Sequence, residues 1–124
     1  RLPKTTVFGT LERPVHAMNL ERYLSVLNTC YKDDLIIAVD ASVGSREHIG
    51  FVTLGKGALK PGLGVSKELR AVGDIFITGI VGSCGSYDPL MLQSVRLSIV
   101  MQMADCISGG IGLVEKFCVS RAFV

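Results

Sequence analysis

The chain has 124 residues, 13 Lys and Arg against 11 Asp and Glu, and a formal net charge of +2. That is length for one domain rather than two, and the charge balance excludes the global basic field that draws nucleic acid. Hydrophobic residues make up 48%, which predicts strands buried on both faces or an apolar surface that meets another chain or a further segment. A homo-oligomer is one form that meeting takes.

Thr5-Thr6-Val7-Phe8-Gly9 is β-branched and apolar, as a short strand is. A loop with Pro14 follows, through Thr10 to His16. Asn19 is a good helix cap, and Leu20, Tyr23, Leu24 and Leu27 recur at the spacing of one buried helical face. Lys32-Asp33-Asp34 makes a charged turn. Leu35 to Val39 is an unbroken apolar run, read as a central strand that Asp40 ends. A second strand is expected over Ile49 to Leu54. The short link between the two forbids a helical crossover, so they should be antiparallel if they pair. A glycine-rich stretch then contains Lys60-Pro61-Gly62-Leu63-Gly64, and Asp74 to Val81 supplies a third long strand.

Gly82-Ser83-Cys84-Gly85-Ser86-Tyr87 reads as a loop before a helix that Asp88 caps and Pro89 opens. Leu92, Val95, Ile99, Met103 and Ile107 form its inner face, Gly109-Gly110 stops it, and Leu113 to Cys118 is a last short helix. Gln93, Arg96, Gln102 and Asp105 interrupt Leu90 to Ile107, making it a poor membrane span. The order predicts an α/β domain with a mixed sheet covered by helices. Parallel strands would gather Thr10 to His16, Asp40 to Arg46 and Gly82 to Tyr87 on one rim, where α/β sheets bind ligands.

Asp40 is the leading chemical candidate. An aspartate closing an apolar strand is partly desolvated, which raises its pKa and suits it to general acid–base work or metal binding. Its bland alternative is a turn-capping hydrogen bond to the backbone of Ser42 or Val43. Glu12 and His16 share the expected rim, giving an alternative metal set of Glu12, His16 and Asp40, although each is more simply solvated or packed at a helix start. His48 is expected on the surface. Cys84 and Ser83 precede a helix start, a setting that activates thiols and holds anions, but a turn explains them equally. Lys60, Pro61 and Gly62 could close over a groove. The four cysteines form no C-x-x-C pair and no zinc spacing, and nothing resembles a secretory signal, so reduced and mostly buried thiols in a cytoplasmic protein are expected.

Several segments together resemble the YyaC-type sporulation proteins, a spore-protease-like family related to the germination protease and the hydrogenase maturation proteases. They are Val7 to Ala17, Ile37-Ala38-Val39-Asp40-Ala41, Leu59 to Val65, Val72 to Val81, Leu92 to Leu97 and Val100 to Ala104. The resemblance covers nearly the whole chain in order. It implies a three-layer α/β/α sandwich around a mixed, mostly parallel sheet, and a cytoplasmic role in the sporulating cell or forespore. It also implies acid-type peptide hydrolysis with Asp40 as the catalytic carboxylate and no cofactor. A non-catalytic peptide- or protein-binding relative and a metal-dependent maturation protease are the alternatives. Lys60, Pro61, Gly62, Gly82, Ser83 and Cys84 would line the groove for a peptide or protein substrate. No nucleic acid and no membrane are implied. The family's first strand and first acidic residue have no counterpart here, and the histidine that completes the nickel site would fall near Pro61-Gly62, where this sequence has none. The chain begins at Arg1 and is expected to be a fragment.

Overall fold

A computed structural model describes residues 5–60, 70–83 and 95–121. The chain order is α1 (Leu20–Cys30), β1 (Ile37–Gly44), a 3-10 turn (Arg46–His48), β2 (Val52–Lys56), β3 (Ile75–Ser83) and α2 (Leu97–Arg121). The three strands form one sheet in the order β1-β3-β2. Ile36 bonds through its carbonyl to the N–H groups of Asp74 and Ile75, and Val43 approaches Gly82 at the other end. The two strands therefore advance together and are parallel. β2 runs the other way: Gly57 pairs with Asp74, Thr53 with Thr78, and Phe51 with Ile80, each step forward on one strand being a step back on the other. The sheet is mixed and the fold is α/β. β1 and β2 never touch as a hairpin would, because β3 lies between them.

Packing divides the chain into two compact units. One comprises Thr5–Ala38 with Gly55–Phe76, and the other comprises Val39–Leu54 with the chain from Ile77. In the first, α1 buries Leu20 and Leu24, with Ala38 the third buried apolar residue. Asn19 holds the lead-in rather than the helix: its Oδ1 accepts from the His16 N–H at 2.8 Å and its Nδ2 donates to the Pro14 carbonyl at 3.0 Å. Thr5 to Gly9 is not a strand. The segment is exposed, finds no ladder partner, and turns at Gly9 with φ +87°. It is fixed instead through Phe8, whose ring packs edge-on against Tyr23 and Tyr31 at 5.7 and 5.6 Å.

In the second unit, α2 lays Met103, its buried residue, against Gly79 of β3. A Cβ at Gly79 would lie 3.4 Å from the Met103 sulfur, so glycine lets the helix sit close. α2 does not stop at Gly109-Gly110 but continues to Arg121, absorbing the short helix expected over Leu113 to Cys118. Glycine in a helix interior costs about 1 kcal/mol relative to alanine and does not forbid the helix. The part Leu97–Cys118 is long and apolar enough to cross a membrane by length and composition, since it begins beyond Gln93 and Arg96. The expected cap and opening of this helix, Asp88-Pro89, lie outside the described residues, as does Leu92. Only four apolar side chains are buried among the described residues, while sixteen large ones are exposed. The apolar composition is thus spent largely on surface.

Candidate functional site

Asp40 does not end a strand. It is the fourth of the eight residues of β1, which continues through Ala41, Ser42 and Val43. The reason is the open edge. A strand buried on both faces cannot carry a carboxylate in its middle, but β1 has β3 on one side and, among the described residues, no strand on the other. Successive side chains alternate between faces, so Ala38, Asp40, Ser42 and Gly44 share one. Gly44 lies against Ile80, where an added Cβ would come within 3.2 Å of its Cγ2. Thr78, two residues earlier on β3, therefore looks out from the same face, and its hydroxyl meets that of Thr53 on β2. The result is a polar row across the sheet, with a carboxylate on the edge strand and hydroxyls at Ser42, Thr78 and Thr53.

The side chain of Asp40 is exposed, yet protein packed beside it removes part of its hydration. That loss pushes the carboxyl above the ordinary aspartate range, and the Ala41 N–H, which donates to Oδ1 at 2.8 Å, pulls it partly back. The expected direction of the shift holds, although the expected strand end does not. The hydrogen bond goes to Ala41 rather than to Ser42 or Val43.

The anticipated rim forms in part. Arg46, Gly82 and Ser83 line one cavity of about 220 Å³ in the second unit. Asp40 lines neither this cavity nor the cavity of about 330 Å³ that Leu24, Ile36 and Arg70 border in the other unit. Thr10 to His16 is not a strand-tip loop, because the strand that would precede it does not form. Glu12 is exposed there, and His16 is tied into the start of α1, its Nδ1 accepting from the Met18 N–H at 3.2 Å. No three His, Cys, Asp or Glu side chains among the described residues come together to hold a metal ion. Glu12, His16 and Asp40 are therefore not gathered as a ligand set. Lys60 is exposed, one residue beyond the Leu59–Val72 bridge. Pro61, Gly62 and Cys84 lie outside the described residues. Cys30, Cys106 and Cys118 are free thiols but exposed rather than buried.

Sequence reasoning missed one pair. Ser45 and His48 bracket the 3-10 turn, and Ser45 Oγ lies 2.7 Å from His48 Nδ1. The signal was a serine three residues before a histidine, since side chains at that spacing eclipse in a 3-10 turn. His48 is exposed, as anticipated, and its ring packs near Phe51 at 5.3 Å.

The described residues form a mixed α/β sheet with an exposed aspartate on an outer strand. The chain belongs to the family described as protein of unknown function (DUF1256), whose family model matches residues 1–110. It is 40% identical over 116 residues to the uncharacterized protein YyaC of Bacillus subtilis (strain 168). That alignment takes in 94% of this chain and 57% of YyaC, so the chain spans less than two thirds of that relative. The YyaC-type resemblance read from the sequence is correct at this level. No solved structure matches the chain.

Proposed function

We propose that this chain is the core of an acid-type peptidase of spore-forming cells, acting in the cytoplasm, with Asp40 as the group that exchanges the proton. The observation that carries the reading is the raised pKa of a solvent-reachable carboxyl on an edge strand. A carboxyl that gives up its proton reluctantly is suited to taking a proton from water during attack on a peptide carbonyl and returning it to the leaving amine. The edge of β1 that no described strand pairs with would offer backbone donors and acceptors to an extended substrate, which would add as a further strand and bring its scissile bond past Asp40. Ser42, Thr78 and Thr53 would supply hydroxyls along that path. A second carboxyl sharing the proton, and a three-layer α/β/α arrangement with helices on both sheet faces, complete the proposal. The resemblance to spore-protease-like proteins expected from the sequence segments would favour the same reading.

The test is cleavage of a peptide library by the full-length protein and by Asp40→Asn. Loss of a general acid–base group costs roughly 10²–10⁴-fold in rate. Equal rates in the two proteins would end the idea.

A second reading is a peptide-binding relative without turnover. It is favoured by the alternating exposed Val39 and Val43 on the same open strand, which suit an added strand whether or not it is cut. In that case both proteins bind an extended peptide equally and neither cleaves it.

A further inference from the structure

The cavity at the end of β3 carries a chemistry of its own. Arg46 borders it from the 3-10 turn, Arg96 from the residue just before α2, and Ser83 from the end of β3. Ile49, Val81, Gly82, Val95 and Ile99 form the remaining wall. Neither arginine joins the salt bridge between Arg70 and Glu21, which lies in the other unit. Arg46 and Arg96 bring two cationic side chains to the border of one partly enclosed space, which favours an anion there. Their planar forks match a two-oxygen acceptor. At about 220 Å³ the space is smaller than the roughly 300–1,000 Å³ of a drug-sized site. Half of its wall is aliphatic, which a bare inorganic ion would leave unused.

We propose that this cavity binds a carboxylate carried on a small apolar body, of the kind presented by the C-terminal residue of a peptide. The arginines take the carboxylate oxygens, Ser83 Oγ donates a further hydrogen bond, and Ile49, Val81 and Ile99 cover the side chain. The site does not depend on proton transfer by Asp40, and it stands whether or not the protein cleaves peptides.

The experiment is an amide-resolved NMR titration of the full chain with N-acetyl-leucine, its neutral amide N-acetyl-leucinamide, and inorganic phosphate. The acid is expected to bind saturably with shifts centred on Arg46, Ser83 and Arg96. The amide, which loses the charge-assisted hydrogen bonds, and phosphate, which leaves the aliphatic wall uncovered, should each bind at least about tenfold more weakly. Arg46→Gln and Arg96→Gln, both at exposed positions, should each weaken the acid by a similar factor. The acid-against-amide comparison needs no variant, so a folding defect in either substitution leaves the test intact. Absence of saturable binding, an amide as tight as the acid, or phosphate as tight as the acid would each overturn the proposal. So would indifference of a folded variant.

Discussion

Gly55 on β2 faces Phe76 on β3 across the antiparallel ladder. A Cβ built at Gly55 would fall 2.7 Å from Phe76 Cε2 and closer still to Cζ and Cε1. Carbon atoms rest about 3.5–4.0 Å apart, so Gly55→Ala forces the half-buried ring off its site or pushes the strands apart. Overpacking of this kind costs about 1–3 kcal/mol. Gly55 has no positive φ, so alanine is conformationally at home and returns about 0.5–1 kcal/mol of chain entropy. The expected net loss is about 0.5–2 kcal/mol, a fall in Tm of roughly 2–8 °C for a chain of this size. Urea denaturation followed by far-UV circular dichroism measures it. The mechanism is specific, because Phe76→Leu in the same molecule removes the collision. The double variant should therefore recover part of the loss and give a coupling of about 0.5–3 kcal/mol. A neutral or stabilising Gly55→Ala, or additive single and double variants, would mean the ring does not rest on this glycine.

Asp40 gives a pH-dependent expectation. Its folded pKa lies above the unfolded value of 3.8, so the native state holds the proton more tightly and loses stability as pH rises from 3.8 through the folded value. Below 3.8 the penalty is absent. Asp40→Asn should therefore gain stability relative to the wild type across that window and keep the gain at neutral pH, by less than about 1 kcal/mol because solvent reaches the carboxyl. A difference that is flat with pH, or that shrinks as pH rises, contradicts the cause assigned to the shift. Gly109→Ala in α2 meets nothing within 4 Å and should stabilise the protein by about 1 kcal/mol, read as a rise in thermal midpoint; a loss would place an unseen neighbour or a bend at that glycine.

The fold was most legible where one face had to be buried. α1 follows from the Leu20, Tyr23, Leu24, Leu27 spacing, and Leu20 and Leu24 are its buried pair. β3 follows from a long apolar run that lies between two neighbours, as such runs do. The misreadings share a cause. Asp40 looked like a strand end only on the premise that β1 is covered on both faces. On an edge strand with an open face, alternate positions accept Asp40 and Ser42 without interrupting the ladder. Thr5 to Gly9 has strand composition but no partner, and its one anchor is an aromatic cluster of residues far apart in sequence. Gly109-Gly110 has the composition of a stop, yet nothing near it supplies the alternative bonds that end a helix.

The site divides the same way. A desolvated aspartate after an apolar run was readable, because its own neighbours in sequence cause the desolvation. The arginine pair was not, since Arg46 and Arg96 are fifty positions apart in the chain and are joined only when β3 passes beside the 3-10 turn. That contact is built from backbone: the Gly50 N–H donates to the Ile80 carbonyl at 2.8 Å, and the Ile80 N–H to the Phe51 carbonyl at 2.9 Å. Gly50 holds φ +92° with nothing near its Cβ position, so it is the turn's conformation, not its side-chain space, that requires glycine. Any bulkier residue there would strain the one loop that carries Arg46 to the cavity. The placement of Arg46 beside the cavity therefore depends on a glycine whose role no local pattern reveals.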